Sequence, residues 1–188
     1  MLVKIAKKHN VFLIADEVYR EFCYDGRKHV SLLNYMRSLP DRAILLDSLS
    51  KRYALCGARL GMLLSLNHDV MTGVLRIAQA RLSAGLVDQA MAAALTKVPD
   101  SYFRSVKKEY AARRDLLFEG LRKIPGVTIP KPEGAFYTVV GLPIKDAEHF
   151  CAWLLTDFRE PSASTGQAET VMLAPAPGFY ATAGLGKN

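Results

Sequence analysis

The sequence predicts an α/β fold, in which short buried strands alternate with helices. Apolar runs at 11–15, 43–47 and 62–66 have the length and composition of strands that are buried on both faces of a sheet. Long connections separate these runs, as is typical of α/β domains. A helical pattern at 2–9, with apolar residues on one side and lysines on the other, precedes the first run and supports the same fold class.

Helical periodicity then predicts three consecutive helices, at 69–82, 87–97 and 101–123. Asp100 is suited to cap the start of the third helix, and the Pro-Gly pair at 125–126 is suited to end it. The third helix is densely charged, which indicates that one of its faces lies in water.

The rest of the chain has the pattern of a smaller α+β unit. Its predicted elements are two strands around a Pro-Glu-Gly turn, an amphipathic helix, a polar loop and a last short strand, at 127–130, 135–140, 146–158, 159–170 and 171–174. The residues of this helix that are expected to face inward are Phe150, Trp153 and Leu154. The change of pattern predicts a domain boundary inside the long helix, which divides 1–105 from 106–188.

The charge of the chain permits a nucleic-acid partner but does not favour one. Lys and Arg number 25 against 18 acidic residues, for a formal net charge of +7. The basic residues are scattered, and the sequence has no compact basic stripe with interleaved aromatic residues. We therefore expect no nucleic-acid partner, although a non-catalytic basic binding domain remains an alternative.

The cysteines, histidines and apolar runs predict a cytoplasmic protein without a metal. The three cysteines are far apart and form no Cys-x-x-Cys pair, as in a reduced protein without structural zinc. The four histidines show no ligand-like pairing with cysteines or carboxylates. No apolar run has the length that a membrane span needs, so no membrane partner is expected.

A lysine and an aspartate stand where a site for an anionic aldehyde cofactor needs them. Lys51 follows the sequence Ser-Leu-Ser, and its amine can form an imine with an aldehyde only when it is neutral. The cation of Arg52, adjacent in sequence, is expected to favour that neutral form. Asp16 follows the first apolar run, where open α/β sheets place ligand-binding residues, and its carboxylate suits charge pairing with the nitrogen of a pyridine ring.

Neighbouring residues supply the other groups that such a cofactor needs. Tyr19 could donate a hydrogen bond to a ring hydroxyl, while Ser48, Ser50 and Arg59 provide hydroxyl donors and a bidentate cation for a phosphate. Each of these residue types alone is common on protein surfaces. What favours a cofactor site is that the aspartate, the lysine and the arginine occur in this order, with apolar runs before the first two and after the third.

Three segments resemble the class I/II aminotransferases. They are Ala-Asp-Glu-Val-Tyr at 15–19, Asp-Ser-Leu-Ser-Lys-Arg-Tyr-Ala-Leu-Cys-Gly-Ala-Arg-Leu-Gly at 47–61 and Pro-Glu-Gly-Ala-Phe-Tyr at 132–137. The resemblance implies an aspartate aminotransferase-like protein of fold type I, with a large domain built on a mixed, mainly parallel sheet and a small α+β domain. It also implies the cofactor pyridoxal 5'-phosphate, amino transfer between an amino acid and a 2-oxo acid, and a homodimer.

The resemblance assigns a role to each candidate residue. It implies that Lys51 forms the imine and moves the substrate proton, that Asp16 pairs with the ring nitrogen, and that Tyr19 contacts the ring hydroxyl. The residues it implies for the phosphate are Ser48, Arg59 and Ser50. Gly134 and Phe136 are expected in the small domain, where they either approach the substrate or form a turn and strand of the core.

The resemblance also implies parts that these residues do not supply. The family has a phosphate-cradling loop, a ring-stacking aromatic residue and an Asn-Pro-x-Gly motif before the aspartate, and a carboxylate-binding arginine near its C-terminus. We therefore expect a C-terminal fragment, with part of the large cofactor-binding domain at 1–105, a truncated small domain at 106–188, and little activity on its own. A pyridoxal-phosphate lyase of the same fold and a fragment retained for dimerisation remain open alternatives.

Overall fold

The computed structural model of the chain describes residues 1–161 and 166–188. These residues form two compact units. The first contains 1–112 together with 133–136, and the second contains 113–132 and 137–188.

The first unit is built on a mixed sheet of three strands. They are β1 (Leu13–Asp16), β2 (Ala43–Ser48) and β3 (Gly61–Ser65), in the order β1-β2-β3. The β1 strand is parallel to β2, and β3 is antiparallel to β2. The three apolar runs of the sequence therefore form strands as predicted, with their bounds shifted by one or two residues.

The core of this unit lies on one face of the sheet. Helix α1 (Leu2–His9) and a 3-10 helix (Leu32–Ser38) supply side chains that pack with those of β2. The members of this core are Ala6, Leu32, Met36, Leu39, Ala43 and Leu45. They fix the position of β2, at the end of which the candidate lysine follows.

The prediction that the strands are buried on both faces is wrong for the described structure. Alternate residues of β2 are buried and half-buried, and Ile14 of β1 is 58% exposed. In β3, Met62 and Leu64 are also exposed, at 45% and 38%. These three apolar runs form strands, but the burial of each face depends on which elements pack against it.

The long helices after β3 follow the predicted pattern, whereas the short helix directly after β2 is not among the predicted elements. A short helix α2 (Leu49–Arg52) follows β2 directly, and α3 (His68–Arg81) follows β3. Two further helices are α4 (Leu86–Ala94), which continues as a 3-10 turn, and α5 (Asp100–Leu121). Helix α5 is continuous through residues 112 and 113, where the two units divide.

The segment 133–136 belongs to the first unit, whereas the predicted domain division placed it in the second. The Ala135 amide donates to the Phe22 carbonyl at 2.8 Å, and the Tyr24 amide donates to the Glu133 carbonyl at 2.9 Å. The Tyr24 hydroxyl also donates to the Ala135 carbonyl at 2.7 Å. These bonds attach the segment to the turn that follows β1, far away in sequence.

The second unit contains helix α6 (Ala147–Thr156), which Asp146 caps by accepting a hydrogen bond from the His149 amide at 2.9 Å. Its buried residues are Ala147, Cys151 and Leu154. The prediction that Trp153 faces inward is wrong, because Trp153 is 40% exposed and lies beside this stripe.

Extended structure in the second unit differs from the prediction. The strands expected at 127–130 and 135–140 do not form; Thr128 makes one isolated bridge with Gly141, one residue beyond the second range. Pro130 and Pro132 lack the amide donors that a longer ladder needs. No strand forms at 171–174; short strands β4 (Glu160–Pro161) and β5 (Ala168–Glu169) pair instead, in the predicted loop, part of which lies outside the described residues.

None of the helices in the described ranges is long and apolar enough to cross a membrane.

Candidate functional site

The candidate site lies at the carboxyl ends of the two parallel strands. Asp16, the last residue of β1, pairs with Leu46 of β2, and the Glu17 amide donates to the Leu46 carbonyl at 2.9 Å. The turn after β1 therefore starts beside the end of β2, from which α2 follows. In open α/β sheets this is the edge at which ligands bind.

Lys51 lies on the single turn of helix α2, which Ser48 begins. The Ser48 hydroxyl oxygen accepts a hydrogen bond from the Ser50 amide at 3.1 Å, and the two serine oxygens lie 2.9 Å apart. The Ser48 hydroxyl is also 3.0 Å from the Leu60 carbonyl oxygen, which ties α2 to the segment before β3. The structure thus brings together the hydroxyls of Ser48 and Ser50, which precede Lys51 by three residues and one residue.

An aromatic ring connects Lys51 with Tyr19. The Lys51 ammonium lies 5.8 Å from the centre of the Phe136 ring, within the range of a cation–π contact. The Tyr19 ring meets the same Phe136 ring edge-on, with 5.1 Å between centroids. Phe136 also packs against Phe22 and Tyr110, yet remains 38% exposed. The Phe136 ring therefore packs among aromatic side chains and also lies beside Lys51. It combines the two roles that the sequence left open, a part of the core and a residue near the substrate.

Arg52, the residue after Lys51, is buried and paired with two carboxylates. Its side chain is buried, donates to Asp47 Oδ2 and lies 2.8 Å from Glu21 Oε1 through Nε. Burial lowers the pKa of Arg52, but the hydrogen bond to Asp47 and the charges of Glu21 and Asp47 outweigh it and raise the pKa above its ordinary value. Two carboxylates therefore compensate the charge of Arg52, which its adjacency to Lys51 in the sequence does not reveal.

Asp16 and Arg59 are the most open members of the predicted set. Asp16 is exposed, and its Oδ1 atom accepts a hydrogen bond from the Val18 amide at 3.2 Å. Arg59 has a left-handed backbone with φ of 51°, is exposed, and donates to the Cys56 carbonyl at 3.0 Å. No hydrogen bond or ion pair joins either side chain to Lys51 within the described ranges.

Gly61 explains the close approach of two strands beside this site. A Cβ atom at Gly61 would lie 3.2 Å from the Asp47 carbonyl oxygen, which is tighter than most Cβ contacts. Gly61 pairs with Ser48 across the β2–β3 ladder. The glycine of the Arg-Leu-Gly sequence therefore lets β3 begin directly opposite the residue that starts α2.

A buried carboxylate that was not predicted as a site residue anchors the turn after β1. Glu17 is 3% exposed; its Oε2 lies 2.8 Å from His29 Nε2 and its Oε1 accepts from the Leu32 amide at 2.7 Å. Burial raises the pKa of Glu17, but the hydrogen bonds from His29, Leu32 and Ser31 outweigh burial and lower it. The sequence suggested no carboxylate partner for His29, because the two residues are separated by a long turn.

Among the described residues, no group of three or more His, Cys, Asp or Glu side chains is arranged to hold a metal ion.

The chain belongs to the class I and II aminotransferase family, whose profile matches residues 1–159. The family assignment from the three motifs is therefore confirmed. The matched range includes every residue of the candidate site.

Its relatives include several aspartate aminotransferases. That of Rhizobium meliloti is 29% identical over 169 residues, which cover 83% of this chain and 41% of the relative. A probable aspartate aminotransferase of Methanocaldococcus jannaschii is 33% identical over 142 residues, 72% of this chain and 36% of the relative. The chain thus spans about two fifths of the length of these relatives.

Solved structures agree with this relationship. The crystal structure of the Rhizobium meliloti aspartate aminotransferase has a TM-score of 0.72 at 28% identity, over 83% of this chain and 42% of that one. The Thermotoga maritima aspartate aminotransferase has a TM-score of 0.70 at 31% identity, over 83% of this chain and 40% of that one. The predicted fold class, part of a fold type I aminotransferase, is confirmed.

Proposed function

We propose that this chain carries one part of the active site of a pyridoxal-phosphate-dependent aminotransferase, with Lys51 as the residue that binds the cofactor. The enzyme would transfer an amino group between an amino acid and a 2-oxo acid. The observation that carries the proposal is the placement of Lys51 on α2, begun by paired serines at the carboxyl end of β2. This placement lies within the range that matches the aminotransferase family.

The chemical groups at this edge of the sheet fit pyridoxal phosphate. Lys51 offers a half-buried amine for the aldehyde, and Asp16 offers an exposed carboxylate for the ring nitrogen. Tyr19 would donate to the ring hydroxyl. For the phosphate, the adjacent hydroxyls are those of Ser48 and Ser50, and the exposed guanidinium of Arg59 adds a cation.

The residues of the site would have two roles, to hold the cofactor and to transfer a proton. Asp16 and Tyr19 would orient the ring, and Ser48, Ser50 and Arg59 would hold its phosphate. When bound, pyridoxal phosphate supplies a ring that withdraws electrons from the substrate α carbon. Lys51 Nζ would accept the proton released at that carbon and return it, as a general base and acid.

Phe136 would shield Lys51 from water on one side. Its ring lies against the ammonium group and is held by Tyr19, Phe22 and Tyr110. A partly apolar neighbour strengthens electrostatic interactions at the amine because it excludes solvent.

We further propose that the purified 188-residue chain has little aminotransferase activity by itself. The chain spans about two fifths of its relatives, and Asp16 is exposed at the edge of the sheet where the cofactor would bind. A homodimer and a cytoplasmic location are proposed on the family resemblance and on the three free cysteines. Measurable amino-acid-dependent turnover by the chain alone would refute the proposal of low activity.

Titration with pyridoxal phosphate tests the role of Lys51. We expect the chain to develop a visible absorbance band that saturates, and we expect Lys51→Ala to remove it. Lys7→Ala, which changes an exposed lysine of α1, is the matched control and should keep the band. A band of unchanged intensity in Lys51→Ala would show that another lysine binds the cofactor.

The reaction is tested separately in a protein that includes this chain at the full length of its relatives. Amino transfer that depends on a 2-oxo acid would support the proposal. Release of ammonia or pyruvate without such an acceptor would identify a lyase of the same fold instead.

A further inference from the structure

A buried ionic network joins the two chain segments that carry the candidate site. One segment is the end of β1 with the turn after it, which carry Asp16 and Tyr19. The other is the end of β2 with α2, which carries Lys51. Arg52 bridges them, because it pairs with Asp47 on its own segment and with Glu21 on the turn.

The network is almost closed to solvent at its centre. The side chains of Asp47 and Arg52 are only 4% and 9% exposed, and that of Glu21 is 23% exposed. Asp47 Oδ1 also accepts a hydrogen bond from the Ser48 amide at 2.7 Å. Arg20 completes the network, with Nη1 at 3.4 Å from Asp47 Oδ2 and Nε at 3.0 Å from Glu21 Oε1.

The helix that carries Lys51 is too short to hold its own orientation. It has four residues, and a single helical turn is unstable without tertiary contacts. Its last residue is Arg52, whose guanidinium meets carboxylates in two directions. The orientation of the Lys51 side chain therefore depends on where Arg52 is held.

We infer that Arg52, held by Asp47 and Glu21, is a positioning residue for Lys51, which aligns the lysine with Asp16 at the end of β1 and with Tyr19 on the turn after it. This inference rests on the proposed function of Lys51. A simple structural ion pair would stabilise the fold without changing the reactivity of the lysine.

Two variants and one control separate these roles. Arg52→Lys keeps the charge but cannot reach two carboxylates with one planar group. Glu21→Gln keeps the size of the side chain and the Arg52–Asp47 pair, but removes the charge that binds Arg52 to the turn. The control Arg42→Lys makes the same chemical change just before β2, at the opposite end of the strand.

The first measurement is the rate at which Lys51 is modified by pyridoxal phosphate with cyanoborohydride, followed by peptide mass spectrometry. We expect a fall of about ten- to a hundredfold in Arg52→Lys, since small misplacements of reacting groups have effects of this size. Glu21→Gln should lower the rate severalfold, and Arg42→Lys should leave it unchanged. Circular dichroism verifies that each variant is folded.

The second measurement needs no cofactor. It compares the acetylation rate of Lys51 with that of the exposed Lys7. In the parent chain Lys51 should react more slowly, because it is half-buried and lies against Phe136; in Arg52→Lys its rate should approach that of Lys7.

The outcomes distinguish the inference from the proposed function. Parent-like values of both rates in folded Arg52→Lys and Glu21→Gln would overturn the inference. If Arg52→Lys does not fold, Glu21→Gln decides in the same way. If the parent chain is not modified by pyridoxal phosphate at Lys51 in preference to Lys7, the proposed function fails, and the acetylation rates still decide whether Arg52 positions Lys51.

Discussion

Replacing Glu17 with glutamine tests how the turn after β1 is held. Glu17 is buried and accepts charge-assisted hydrogen bonds from His29 and from the Leu32 amide. Hydrogen bonds to charged groups contribute about 1.5–3 kcal/mol each, against about 0.5–1.5 kcal/mol for neutral ones. Glu17→Gln keeps the shape and one acceptor, so we expect it to lower the free energy of unfolding by about 2 kcal/mol.

The pH dependence of this difference follows from the lowered pKa of Glu17. A carboxyl group whose pKa is lower in the folded protein contributes stability that is fully present above its ordinary, unfolded pKa of 4.5. That contribution is lost as the pH falls from this value through the folded pKa. The difference between parent and variant should therefore be full at neutral pH and shrink only below pH 4.5.

Urea unfolding followed by circular dichroism at several pH values measures the effect. A loss of about 2 kcal/mol corresponds to a fall in melting temperature of about 4–8 °C for a chain of this size. Glu119→Gln is the matched control, because Glu119 forms an exposed ion pair with Arg122 and should contribute less than about 0.5 kcal/mol. Equal stability of Glu17→Gln and the parent at neutral pH, or a difference that stays constant below pH 4, would refute the reasoning.

Two other predictions concern the elements that support the fold. Leu45→Ala removes a side chain that is 4% exposed in the core of the first unit. It should lower the free energy of unfolding, measured by urea titration, by about 2–5 kcal/mol. A loss below about 1 kcal/mol would contradict the packing described. Asp146→Ala removes the cap of α6 and should lower the free energy of unfolding by about 1 kcal/mol. Asp146→Asn keeps a capping oxygen and should retain most of the parent stability. Equal stabilities of the Ala and Asn variants by thermal melting would exclude a capping role.

Periodicity was sufficient to predict most elements of the first unit. The apolar runs became β1, β2 and β3, and the helical patterns became α3, α4 and α5 within a few residues. These signals are local, since they depend on which residues recur along a few turns or along one strand. The motif around Lys51 was likewise readable, because its residues are close in sequence.

The contacts of the site could not be predicted, because they join distant segments. Phe136 lies near the turn after β1 because its neighbours Glu133 and Ala135 form hydrogen bonds with Phe22 and Tyr24. These partners are separated by more than a hundred residues in the sequence. Arg52 was interpreted from its adjacency to Lys51, yet neighbouring residues on a helix point in different directions. Its partner Glu21 lies on the turn after β1 and comes close to Arg52 because β1 and β2 are neighbouring strands.

Burial was the weakest prediction for a related reason. An apolar run does not reveal whether something packs against both of its faces, and Ile14 and Trp153 are exposed although their residue types favour the interior. In the second unit, prolines interrupt one expected strand, which a count of apolar residues does not register.

Lys51 is proposed as the lysine that binds the cofactor. Treating the chain with stoichiometric pyridoxal phosphate and borohydride, and mapping the modified peptides by mass spectrometry, tests this claim directly. We expect one pyridoxyl group per chain, on the peptide that contains Lys51, and its loss in Lys51→Ala. Modification spread over exposed lysines such as Lys4 and Lys7, with no preference for Lys51, would contradict it.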